Sequence, residues 1–89
     1  MVATAALLVG SGGCARKPLP ELGSPAEQLY AGRCGSCHRA YQPSTMTSAM
    51  WAEQVDAMQL KMAQAGVAQL SEPERCKILD YLQRNAGTD

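Results

Sequence analysis

The sequence of 89 residues contains no phenylalanine, one tryptophan and three tyrosines. This leaves little material for an aromatic core, and a chain this short is hard to stabilise by side-chain packing alone. It has room for one small domain. Eight basic residues balance eight acidic ones, so the basic excess expected of a nucleic-acid partner is missing. The apolar run over residues 2–10 falls short of the ~18 residues of a membrane-spanning helix. No segment shows the apolar–polar alternation of a strand. There is one histidine, His38, so chemistry that needs two imidazoles from this chain is excluded.

What is present divides unevenly. Residues 2–10 are apolar and uncharged, and Ser11-Gly12-Gly13 then leads into Cys14. This resembles the end of a bacterial secretory signal. Small residues running into a cysteine also resemble a lipoprotein processing site, where cleavage precedes the cysteine and its sulfur receives a diacylglycerol. Residues 1–14 are therefore expected to be a signal-peptide remnant with a lipobox-like end. Residues 15–23 are expected to be a linker, extended by Pro18 and Pro20 and closed by Gly23. Residues 24–89 form the domain.

Three helices are expected within that domain. Ser24-Pro25-Ala26-Glu27 opens the first: Ser24 caps, Pro25 takes the first helical position and Glu27 completes a capping box. This helix runs to about Arg33, with Leu29 and Tyr30 as candidates for its buried side. Thr47 or Ser48 caps a second helix over about 49–65. Along it Trp51, Val55, Met58 and Met62 recur at spacings of four, three and four, which makes one apolar stripe. Gly66 stops it. Ser71-Glu72-Pro73-Glu74 repeats the box and opens the last helix. Ile78, Leu79 and Leu82 give that helix an apolar face, Tyr81 lies on a flank, and Gly87 caps the end. The fold class is all-α.

Cys34-Gly35-Ser36-Cys37-His38 carries the chemistry. Its Cys-x-x-Cys-His spacing is that of a c-type haem attachment site. Each sulfur can form a thioether to one porphyrin vinyl group, and His38 lies where it can give the iron an axial nitrogen. Cys-x-x-Cys alone also suits zinc or thiol redox work. A structural zinc needs four ligands, and Cys34, Cys37, His38 and Cys76 are the available set, but adjacent Cys37 and His38 make poor tetrahedral partners. A thioredoxin-like module needs strand–helix alternation, which is missing. One covalent haem c on Cys34 and Cys37 is the expected cofactor, and its apolar faces would stand in for the scarce aromatics. Trp51 carries an indole N–H that needs a partner when buried, either a haem propionate or a group of the core. Arg33, Arg39 and Lys61 are either propionate partners or solvated charges. Cys76 is expected to be a buried thiol on the last helix.

Taken together, a helix running into Cys34-Gly35-Ser36-Cys37-His38, a methionine-bearing middle and a final Ile78-Leu79-Asp80-Tyr81-Leu82 resemble a small monohaem class I cytochrome c over roughly 24–85. The run Trp51-x-x-x-Val55-x-x-Met58 resembles a bacterial subgroup of that family. The resemblance implies the small cytochrome c fold, with about three main helices around one haem. It implies that the first and last helices cross near the haem, Ala31 or Gly32 meeting Tyr81. It implies that the Pro43 carbonyl accepts from Nδ1–H of His38 and so orients the ring. It also implies methionine as the sixth ligand. Counting back from Ser71 selects Met62, nine residues earlier, and counting forward from Trp51 selects Met58 as the alternative.

The function expected is periplasmic electron transfer by an electron carrier rather than an enzyme, acting alone or beside a dehydrogenase or oxidase. Its partners would be redox proteins met at a small transient interface, with a membrane tether through Cys14 and a monomeric state. The competing expectation is a haem-based sensor or small enzyme subunit whose sixth ligand is labile.

Overall fold

The computed structural model describes residues 17–35 and 39–88. The 1–14 segment with Cys14, and Cys37 and His38 of the motif, lie outside the described residues. Within these residues the chain forms α1 (Pro25–Cys34), a 3-10 turn at Pro43–Thr45, α2 (Ser48–Gln64) and α3 (Glu72–Arg84). Among the described residues there is no strand, only an isolated parallel bridge between Thr47 and Gly87. The fold is all-α, as the sequence predicts.

Each helix begins where a side chain can satisfy an orphan N–H. Ser24 Oγ accepts from the Glu27 N–H at 3.1 Å, with Pro25 opening α1. The returning half of that box is displaced by one residue. The Glu27 carboxylate accepts from Gly23 N–H at 3.1 Å, because the Ser24 N–H is already given to the Glu21 carbonyl at 2.9 Å. Thr47 Oγ accepts from Met50 N–H at 3.2 Å to start α2. Ser71 and Glu74 form the complete reciprocal box of α3. Gly66 ends the α2 turn at φ +75°, the left-handed region that glycine occupies without strain. Gly87 has a different task from the cap expected of it, since Asn85 is the cap of α3. The Gly87 N–H donates to the Met46 carbonyl at 2.9 Å, and a Cβ there would lie 2.4 Å from the Ser44 carbonyl oxygen.

The core joins Tyr30 of α1, Trp51, Val55 and Met62 of α2, and Ile78, Tyr81 and Leu82 of α3. Three of the chain's four aromatic residues meet here. The Tyr30 ring lies 5.5 Å from Tyr81 and 6.4 Å, edge-on, from Trp51. The scarcity of aromatics is thus offset by concentrating them. Tyr81, on the flank of the α3 face, is fully buried beside Ile78 and Leu82, while Leu79, expected on that face, is only partly covered. The α1–α3 crossing is also aromatic. Tyr30 meets Tyr81, whereas Gly32 is exposed with nothing within 4 Å of where a Cβ would stand. Ala31 lines a separate groove with Lys17 and Arg39.

Residues 17–23, expected as part of a free linker, are docked on the helices. Tyr81 OH donates to the Pro20 carbonyl at 2.9 Å, Gln42 Nε2 donates to the Lys17 and Pro18 carbonyls at 3.0 Å each, and Leu19 packs on the core. Glu21 takes φ 57°, a region unfavourable for a residue with a Cβ. Its carboxylate is held by a two-pronged contact from Arg84, both bonds at 2.8 Å, and by Asn85 Nδ2 at 2.7 Å. Such forked pairs are the stronger kind of charge-assisted bond. Extended proline-containing backbone has no ladder partner, so its carbonyls are open to these donors.

Two outcomes are expected. Gly87→Ala must push the 44–46 backbone away, so it should lower unfolding free energy by about 1–3 kcal/mol in denaturant titration. Arg84 and Asn85 hold the Glu21 pKa well below its ordinary 4.5, at about 2. Its stabilisation is therefore complete above the unfolded value and is lost as pH falls through the folded one. The Tm gap between wild type and Glu21→Gln should close between about pH 4.5 and about pH 2. A gap that stays constant across this range would refute the role given to Glu21.

Candidate functional site

α1 delivers Cys34 as its last residue, buried at 7% exposure. Burial pushes its thiol up to about 11 against a smaller opposing effect of Arg33. Thiols that work in disulfide exchange are shifted the other way, so this sulfur sits as a neutral group in an apolar wall. Gly35 follows as the cap of α1, its N–H donating to the Ala31 carbonyl at 3.0 Å. A Cβ at Gly35 would lie 2.4 Å from that same carbonyl oxygen. A small residue is needed there for the chain to leave the helix and enter the remainder of the motif.

Cys34 opens onto a mainly apolar cavity of about 230 Å³. The end of α1, the stretch at Ala40 and Tyr41, and one face of α2 enclose it. Trp51, Met58 and Met62 line it together, with Arg33, Gln54 and Lys61 as its polar and charged lining. The helical repeat explains this. At about 100° per residue, Gln54, Met58, Lys61 and Ala65 fall on one arc of α2. Val55 and Gln59 fall on the other side, and Trp51 and Met62 lie between. The stripe read from the sequence therefore does two things: one edge fills the core and the other walls the cavity. Met62 belongs to the core at 6% exposure, while Met58 is half-buried at the edge of the cavity arc nearest the core. The donor set of this chamber, a buried cysteine on one wall and two thioethers on another in apolar surroundings, suits a covalently held porphyrin. Cys34 would hold that group, with Met58 or Met62 available to its metal.

The structure redistributes several expected partners. The Trp51 indole is buried and donates to the Pro43 carbonyl at 2.7 Å, a core partner of the kind the sequence allows. The Pro43 carbonyl, expected to receive His38, takes this bond and a longer one from Met46 N–H at 3.4 Å. Arg33 reaches Glu74 Oε1 and the Ala68 carbonyl, each at 2.6 Å. Glu74 is held below the usual carboxylate range, first by the Ser71 N–H and then by Arg33. Lys61 stays at the cavity, whereas Arg39 lines the neighbouring groove. Cys76 is exposed, not buried; its Sγ faces Glu72 Oε2 at 3.6 Å across one turn of α3. Met50 is also exposed, and Met46 only edges the core. Gln54 was absent from the sequence reading. Its place three residues after Trp51 and four before Met58 is the signal that puts it on the same face.

Trp51→Phe should keep most of the ring contacts but leave the buried Pro43 carbonyl without its main donor. A loss of about 1–3 kcal/mol is expected, read as a lower denaturation midpoint with an unchanged m-value.

Comparison with known proteins bears on the same segment. A family model described as dihaem cytochrome c matches residues 30–89, from the middle of α1 through the motif, the cavity and α3. No curated protein and no solved structure matches the chain. A buried cysteine at the head of Cys-x-x-Cys-His, facing an apolar chamber inside the matched residues, agrees with that assignment: the chain belongs to the dihaem cytochrome c family.

Proposed function

We propose that this protein is a periplasmic electron carrier that would hold one haem c through Cys34 and Cys37, with His38 and Met58 as the residues to bind its iron. The family supports a haem c electron-transfer role. The observation that carries the finer reading is the cavity, which puts Cys34 and the α2 methionines around one apolar space. Although the family is described by two haems, this sequence holds one Cys-x-x-Cys-His. Its remaining cysteines, Cys14 and Cys76, have no partner at that spacing. One covalent haem for this sequence follows from that count.

The haem supplies a one-electron couple when bound. The protein's part is to hold it dry and still. Cys34 and Cys37 would hold it covalently, and Trp51 and Tyr30 close the cavity on the core side. A thioether from Met58 gives a higher potential than a second imidazole would. Met62, which the count back from Ser71 prefers, lines the same cavity but is the more deeply buried of the two in the core. Lys61, exposed at the cavity, is the cation available to propionates, since Arg33 is engaged with Glu74 and Ala68.

Export and lipidation of Cys14 complete the proposal. Residues 17–23 lie against the helices, so only two residues separate Cys14 from the docked segment, an extended reach on the order of 10 Å. A lipid there would hold the domain close to a membrane surface and restrict any swing.

Protein matured in a haem-attaching host should give a pyridine haemochrome of one haem per chain. Met58→Ala should abolish the weak methionine-to-iron charge-transfer band at the red end of the spectrum and lower the potential. Met62→Ala should keep the band and lose stability by about 2–5 kcal/mol. A colourless folded product would refute the haem reading. Loss of the band only in Met62→Ala would reassign the ligand.

A further inference from the structure

Two residues beside the haem-holding positions reach the same short turn. Gln59 follows Met58 on α2, and Arg33 precedes Cys34 on α1. The turn from Gly66 to Ser71 joins α2 to α3. Gln59 meets it as one backbone strand meets another: Oε1 accepts from Leu70 N–H at 2.8 Å, and Nε2 donates to the Leu70 carbonyl at 3.1 Å. The Gln59 carbonyl in turn accepts from Gln69 Nε2 at 3.0 Å. From the other side Arg33 donates to the Ala68 carbonyl and pairs with Glu74 at the start of α3. Leu70, between these contacts, is buried in the core. Val67 N–H closes the end of α2 on the Met62 carbonyl at 2.9 Å.

We infer that Gln59 is a positioning residue: by clamping α2 to the 68–70 turn, which Arg33 clamps to α1, it fixes the rotation of α2 and so the aim of Met58 into the cavity. This rests on the proposed methionine ligation. The physical argument is one of angle. A helix held along one apolar stripe can roll, because side-chain contacts give gradually under small rotations. Gln59 lies off the cavity arc, toward the turn, and its amide is bonded at both ends to one residue's backbone. Rolling α2 breaks both bonds at once. The same roll carries the neighbouring Met58 away from the cavity, so the clamp opposes the motion that would free a sixth ligand. It makes the difference between a closed electron-transfer site and an open ligand-binding one.

The experiment uses the haem-loaded protein in three forms: wild type, Gln59→Leu and Gln59→Glu. Leucine fills similar space and removes both bonds, while glutamate keeps the acceptor for Leu70 N–H and loses the donor. Ser71→Ala is the control, since it removes the hydroxyl that caps α3 at the Glu74 N–H and leaves both Gln59 bonds to Leu70 in place. The readouts are the methionine charge-transfer band, the rate of carbon monoxide binding to the reduced form, and the potential. Gln59→Leu should weaken the band and raise the carbon monoxide rate by about tenfold, the factor that corresponds to about 1.4 kcal/mol in an opening equilibrium. Gln59→Glu should fall between it and wild type. Ser71→Ala should lose stability with band and rate unchanged. An unchanged band and rate in Gln59→Leu would overturn the inference while the ligand assignment stood. Equal changes in Ser71→Ala would also overturn it, by showing a general loosening. A wild type without the band would overturn the ligand assignment and this inference with it.

Discussion

The structure depends on three buried aromatic rings whose polar ends are all satisfied by backbone carbonyls outside the helices. Trp51 Nε1–H donates to Pro43, Tyr30 OH to Tyr41 and Tyr81 OH to Pro20. A buried donor without a partner costs about 1–3 kcal/mol, so each ring needs a carbonyl nearby. Each irregular segment, lacking a ladder, has carbonyls to give. The rings pack on one another in the core, and their heads draw the 17–23 and 39–46 segments onto the helices. Among the described residues no buried side-chain polar atom is left without a partner. A chain with so few aromatics can fold around them because each acts both as apolar mass and as a loop anchor. Burial also raises the pKa of both tyrosines, Tyr81 to about 12, with desolvation as the largest cause, so both stay protonated and keep donating.

Much of this was readable in the residues, for physical reasons. Helix starts were legible because capping is local: Ser24, Thr47 and Ser71 each act on an N–H three residues on. The α2 stripe was legible because its period repeats over a long helix. What failed was long-range. The docking of Glu21 on Arg84 joins residues far apart in sequence and has no local signature; two prolines and a glycine read equally well as a free linker. Cys76 is exposed because it lies about 160° around α3 from Ile78, which the helical period alone gives, whereas the full burial of Tyr81 turns on where α1 and the 17–23 segment land on α3. The short face of α1 could not predict that. Gly87 was read as a helix cap because glycine follows many helices, yet here it gives room for backbone passing backbone.

The site divides between these categories. The motif is local, and its first cysteine is where a helix ending at that residue must put it. The cavity is not local: it needs α1, the 39–41 stretch and α2 together. Only the α2 contribution could be drawn from sequence, and there the stripe was treated as a single surface. The structure separates it into a core edge with Val55 and a cavity edge with Gln54, Met58 and Lys61. The two methionines, one turn apart, straddle that division: both line the cavity and both touch the core, with Met62 the more deeply buried, as a flexible apolar filler can be, and Met58 half-buried.

The position of the charges follows the same logic. Arg33 lies next to the buried cysteine and lines the cavity, yet its nearest carboxylate belongs to Glu74 on α3. Half-buried and shared between an acid and a carbonyl, it ties helix ends together more than it balances an anion. Exposed pairs such as Arg75 with Asp56 or Arg84 with Asp80 contribute little singly. Arg33–Glu74 differs because the same carboxylate also accepts the Ser71 N–H of the capping box at 2.9 Å. Loss of Arg33 would therefore disturb the start of α3 and the 68–70 turn together, and through the turn the helix that carries Met58. A redox site of this size has no spare layer of protein to keep its walls in place, so the ionic and capping interactions at the helix ends take over that task.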